Sequence, residues 1–131
     1  GKFIAQRLLE ELQAGDRVII LGFTFKENVP DIRNTKVIDI VNFLEESGIK
    51  VEINDPRADK NEVKIVYKKS LVSIDHNKKY KAIIIAVKHN EYTALTLKDL
   101  AQLLESDGSI FDLKGIFRGK QIPAGINFIS F

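Results

Sequence analysis

Apolar positions along the chain recur with two periods, one near that of a helix and one near that of a strand. Ile4, Leu8 and Leu12 have helical spacing and Gly15 offers a stop, which predicts a first helix from Lys2 to Gln13. Residues 17–22 (RVIILG) are a short apolar run between Gly15-Asp16 and Gly22, as expected of a strand buried on both faces. A polar loop from Thr24 to Arg33 follows. Asn34 or Thr35 is placed to cap a second helix whose Val37, Ile40, Val41 and Leu44 share one face and which Ser47-Gly48 ends. Ile49, Val51 and Ile53 alternate with Lys50, Glu52 and Asn54, predicting a half-buried strand stopped by Asp55-Pro56. Residues 82–87 (AIIIAV), the most apolar run, predict a central strand. Thr96 and Asp99 form a capping box for a helix carrying Leu97, Leu100, Leu103 and Leu104. Ser109 to Leu113 and Ile126 to Ile129 complete the expected strands. Between Pro56 and Tyr80 the pattern is thin and Lys-rich; Ser70 is the one candidate helix start, and no chemistry is visible.

Strands alternating with helices in 131 residues predict a single α/β domain: a Rossmann-like open, mostly parallel sheet with helices on both faces and right-handed crossovers. With 44% apolar residues the chain can build a core, and no run is long enough to span a membrane. Residues 1–12 interleave apolar side chains with Arg7, Glu10 and Glu11, which suits a helix and not an export signal. The chain has no cysteine, so disulfides, thiolate nucleophiles and thiolate metal sites are excluded and a cytoplasmic location is expected. Its 20 basic and 18 acidic residues are spread evenly, which argues against nucleic-acid binding and makes any anion site a local one. The absence of methionine and the helical character of the opening residues lead us to expect a piece of a longer protein.

In open α/β sheets ligands bind beyond the carboxyl ends of the strands, so the loop after the first strand is the first candidate site. It reads GFTFKENVPDIRNT from Gly22 to Thr35 and offers a phosphate-seeking Lys26, the aromatic rings of Phe23 and Phe25, and Asp31 and Arg33 just before a helix amino terminus. A nucleotide carrying phosphate is a sensible ligand. A dinucleotide is disfavoured, because Thr24 and Glu27 stand where the pyrophosphate-binding glycines would be needed.

This loop resembles the signature that opens the C-terminal domain of the UDP-glucose/GDP-mannose dehydrogenase family. Residues 51–56 ending in Asn-Asp-Pro, residues 82–92 (AIIIAVKHNEY) and residues 110–115 (IFDLKG) are similar to further stretches of the family in the same order, so the resemblance covers essentially the whole chain. The wording is closer to the UDP-N-acetylhexosamine branch than to the UDP-glucose branch. The resemblance implies a UDP-binding domain at residues 15–131, preceded at residues 1–14 by the end of a connector helix. It also implies a longer NAD-dependent 6-dehydrogenase, a homo-oligomer, that oxidises the sugar C6 alcohol to a carboxylate through a covalent intermediate on a cysteine. NAD would bind the N-terminal domain and no cofactor would bind this one. The expected partners are UDP or a UDP-sugar and the remaining domains of the enzyme. This chain by itself would be inactive.

By the same resemblance Lys26 pairs with the diphosphate and Phe25 packs near the uridine, while Lys114 and Arg118 are further UDP-binding candidates. A strand end with ordinary surface cations is the alternative for those two. Asp31 and Arg33 are expected to organise the loop through an ion pair or a helix cap. Phe23 and His89 are placed at the site edge, although a lone histidine more often satisfies a loop backbone group. Asp55 reads mainly as a turn residue. With only His76 and His89, and no acidic cluster beside either, no metal site is expected. A module for assembly without nucleotide specificity is the competing reading. A phosphoacceptor receiver is ruled against by Lys88-His89, where its aspartate would stand.

Overall fold

The computed structural model describes residues 2–131. Five strands, β1 (Arg17–Leu21), β2 (Lys50–Asn54), β3 (Tyr80–Ile85), β4 (Leu104–Asp112) and β5 (Asn127–Ser130), form one sheet in the order β2-β1-β3-β4-β5. Every pairing is parallel. The helices are α1 (Lys2–Glu11), α2 (Val37–Glu46), α3 (Lys60–Tyr67) and the short α4 (Asn90–Thr93) and α5 (Leu97–Ala101).

Two hydrophobic layers explain why β1 from Val18 onward and β3 from Ala82 onward are apolar at every position. Val18 and Ile20 of β1 with Ala82 and Ile84 of β3 pack against Leu8 of α1, Val41 and Leu44 of α2 and Val63 of α3. Ile19, Leu21, Ile83 and Ile85 face the other way, onto Tyr92 of α4 and Leu97 and Leu100 of α5. Strand side chains alternate between faces, so a strand covered on both must be apolar throughout. At about 1.5–3 kcal/mol for each fully buried aliphatic side chain, these two strands form the centre of the core and contribute a substantial part of its burial energy.

Three local readings are corrected. The helix expected to carry Leu103 and Leu104 ends at Ala101, and Leu104 opens β4. Both leucines stay in the same buried layer, but Tyr80 N–H donates to the Leu103 carbonyl at 2.8 Å and Tyr80 pairs with Leu104, so sheet pairing takes the backbone that helical spacing claimed. Glu105 to Gly108 then bulge out before Ser109 meets Ala82. In the Lys-rich segment, α3 starts at Asp59, whose Oδ1 accepts from Glu62 N–H at 2.9 Å, and not at Ser70. Its only buried residue is Val63, while Ile65 and Val66 face outward, so its apolar stripe is too thin to read. The first residue of α2 is preceded by Lys36 instead of Asn34 or Thr35, although Thr35 Oγ1 accepts from Val37 N–H at 3.2 Å.

Candidate functional site

The carboxyl ends of the parallel strands bring together the loops at residues 22–36, 55–59, 86–89 and 113–118. The first turn depends on Gly22, which has φ +104. A Cβ there would lie 2.5 Å from Val87 Cβ and 2.8 Å from its backbone nitrogen, so β1 and β3 can leave the sheet side by side only with glycine at this point.

Beyond Gly22 the loop is tied down by Asp55, which is 5% exposed. Its Oδ1 accepts from the N–H groups of Arg57 (2.8 Å) and Ala58 (3.1 Å), as in an Asx turn. Its Oδ2 accepts from Phe23 N–H at 2.6 Å and Thr24 N–H at 3.0 Å, and lies 2.9 Å from His89 Nε2. Asp55 is thus a turn residue, as its sequence context indicates, and also the anchor of a loop from another strand. Burial alone raises its carboxyl, but the hydrogen bonds from His89, Phe23 and Arg57 outweigh that effect and hold it below the usual carboxylate range.

The rest of the loop closes on itself. Phe25 N–H donates to the Asp31 carbonyl at 2.7 Å, and Arg33 grips the Asp31 carboxylate with Nε and Nη2, each at 3.0 Å. That side-chain pairing holds Asp31 below its ordinary value. Tyr67 of α3 donates its hydroxyl hydrogen to the Ile32 carbonyl at 2.6 Å and meets Phe23 edge-on at 5.2 Å. Phe23 and His89, assigned to the site edge by sequence, both have no exposed surface and lie beneath the loop.

Between this loop, α1, α2 and the start of the β4–β5 connection opens a cleft of about 1000 Å³. Phe25, Lys26 and Lys114 line it, with Ile4 and Leu8 of α1, Ile40 and Phe43 of α2, and Thr35 at the foot of α2. Phe25 is 56% exposed, unusual for an aromatic residue that has only a packing role. Lys26 and Lys114 are exposed, and none of the ion pairs among the described residues engages either one. A second buried carboxylate presents Lys114: Asp112, with no exposed surface, accepts from the N–H groups of Ile116 (3.0 Å) and Phe117 (2.9 Å) and folds the turn between them. Arg118 does not join the cleft, because its guanidinium donates to the Phe131 carbonyl at 2.8 Å.

A site with two cations, an exposed ring and an apolar wall suits an anion attached to a flat, partly apolar group. It does not suit a dinucleotide in the usual mode. The amides of Phe23 and Thr24 are taken by Asp55, that of Phe25 by the Asp31 carbonyl and that of Asn28 by His89, leaving few backbone donors for a pyrophosphate. Gly22 is spent on strand packing. Among the described residues no group of His, Asp or Glu is arranged to hold a metal ion, and no helix is long and apolar enough to cross a membrane.

The profile of the UDP-glucose/GDP-mannose dehydrogenase family, UDP binding domain, matches residues 19–119. The chain belongs to this family. Protein CapL of Staphylococcus aureus is 39% identical over 93% of the chain, and the UDP-N-acetyl-D-glucosamine 6-dehydrogenase of Salmonella typhi is 36% identical over 92%. The chain spans about 30% of the length of each of these relatives. Among solved structures, the UDP-N-acetyl-mannosamine dehydrogenase Cap5O of Staphylococcus aureus superposes with a TM-score of 0.74 at 20% identity, over 98% of this chain and 30% of that one. Its likeness extends to the fold alone. The expected resemblance and the Rossmann-like parallel sheet both stand, and the alternative of an assembly module without nucleotide specificity gives way to a UDP-binding domain.

Proposed function

We propose that this domain holds UDP or a UDP-sugar in the cleft between the Phe25-Lys26 loop, α1 and Lys114, as the UDP-binding part of a longer NAD-dependent nucleotide-sugar 6-dehydrogenase. The convergence of Phe25, Lys26 and Lys114 on one cleft, within the matched segment, carries the reading. Lys26 and Lys114 neutralise the diphosphate from two loops, while Phe25 offers its face to the uracil. The apolar wall from α1 and α2 excludes water, which strengthens each ionic contact. Asp31 and Arg33 shape the loop from outside the cleft.

On this reading the domain binds and orients the substrate. The sequence holds no cysteine to act as nucleophile, and the loop does not fit a dinucleotide, so the hydride acceptor and the covalent step belong to other parts of the enzyme. NAD, bound there, would accept the hydride. Residues 1–14 then act as the incoming connector, and α1 serves also as a wall of the cleft. The cytoplasm, in keeping with a chain that has no cysteine, is the proposed compartment, and a homo-oligomer the proposed state of the whole enzyme. The UDP-N-acetylhexosamine branch is favoured by the names of the relatives.

Calorimetric titration with UDP, UDP-N-acetylglucosamine, UDP-glucose and NAD tests this directly. Heat from the uridine compounds with none from NAD is the expected result. Binding of NAD alone sinks the assignment.

A further inference from the structure

Under the loop that carries Phe25 and Lys26 lies His89, with no exposed surface and polar contacts to separate parts of the chain. Its Nε2 is 2.9 Å from Asp55 Oδ2 and 3.1 Å from Thr24 Oγ1, and its Nδ1 is 2.9 Å from the Asn28 nitrogen. A backbone N–H can only donate, so Nδ1 accepts from Asn28 and the ring proton sits on Nε2. Asp55 and the Thr24 hydroxyl oxygen share that proton. The Thr24 hydroxyl in turn donates to the Lys26 carbonyl at 2.9 Å. The Asn28 side chain is held as well, with Oδ1 accepting from Asn90 N–H at 2.8 Å and Nδ2 donating to Asn90 Oδ1 at 3.2 Å. The arch from Thr24 to Asn28 is therefore fixed at both ends and at the Lys26 carbonyl, while the Phe25 and Lys26 side chains line the cleft.

We propose that His89 is a positioning residue for nucleotide binding: its neutral ring holds the arch in the shape that presents Phe25 and Lys26, without touching the ligand. The proposal rests on the nucleotide reading of the cleft. Neutrality is required by the geometry. A second proton would make Nδ1 a donor pointing at another donor, and the Asn28 amide would have to leave. The Tyr92 ring, 5.6 Å away, stays neutral because burial pushes its phenol up.

The test is calorimetric titration with UDP-N-acetylglucosamine at one fixed pH, read together with the Asn28 amide resonance. His89→Asn, whose Oδ1 takes the place of Nδ1, should bind within about threefold of wild type. His89→Gln reaches Asp55 but leaves the Asn28 amide without its acceptor, and should bind about tenfold more weakly, the worth of about one buried hydrogen bond. The Asn28 amide resonance should shift in His89→Gln and remain in place in His89→Asn. Thr24→Val, which unties the Lys26 carbonyl from the ring, should also bind about tenfold more weakly, and it carries the test if a His89 variant fails to fold. Unaltered affinity in His89→Gln with a shifted Asn28 resonance, or unaltered affinity in Thr24→Val, overturns the proposal. If wild type binds no uridine ligand while the Asn28 resonance still shifts in His89→Gln, the nucleotide reading has failed, and the positioning role with it.

Discussion

Replacing Asp55 with alanine should remove more stability than any other single polar substitution in the loop region. The carboxylate accepts from the backbone N–H groups of Phe23, Thr24, Arg57 and Ala58 and meets His89. Arg57 and Ala58 are half-buried and can recruit water. Phe23 and Thr24 are 0% and 1% exposed, so their N–H groups are shut off from water. Two orphaned buried donors at about 1–3 kcal/mol each, less the relief of a desolvated carboxylate, give a loss of about 3 kcal/mol. That is a large share of the roughly 5–15 kcal/mol typical of a domain. Urea denaturation followed by circular dichroism would measure it, with an unchanged slope showing that the folded state is otherwise intact. The same residue sets an acid limb. Its folded carboxyl lies below the unfolded value, so its contribution is fully present above about pH 4 and is lost as pH falls from there through the folded value. Asp55→Ala should lack this component of the acid limb. A loss under about 1 kcal/mol, or an acid limb identical to that of wild type, would refute the account of Asp55 as the anchor.

Gly22→Ala should destabilise by about 3 kcal/mol, from the clash with Val87 and the positive φ together, visible as a lower urea midpoint; a midpoint equal to that of wild type would mean that the strand ends relax freely. Lys26→Ala and Lys114→Ala should each weaken UDP binding by about tenfold, the value of one charge-assisted contact, while the melting temperature stays put because both side chains are exposed. Arg118→Ala, whose guanidinium is engaged by the Phe131 carbonyl, should leave the UDP dissociation constant unchanged; a loss equal to that of Lys114→Ala would return it to the site.

The sequence alone determined the alternation of strands and helices, because a parallel sheet covered on both faces demands β-branched runs such as residues 17–22 and 82–87, and these cannot be mistaken for surface. The location of the candidate loop follows from that order, since ligands gather at the carboxyl ends of such strands. Hydrophobic spacing could not say that Leu104 belongs to β4, because a leucine buried in one layer keeps the same spacing whether helix or strand delivers it. Nor could it show Asp55, His89 and Asn28 as one unit. They lie 34 and 61 residues apart in the chain, and only the parallel registry of β1, β2 and β3 brings their loops to a common edge. The same registry decides between Lys114 and Arg118, neighbours on one turn whose side chains leave in different directions: Asp112 folds that turn, one cation faces the cleft, and the other is drawn off by the carbonyl of Phe131.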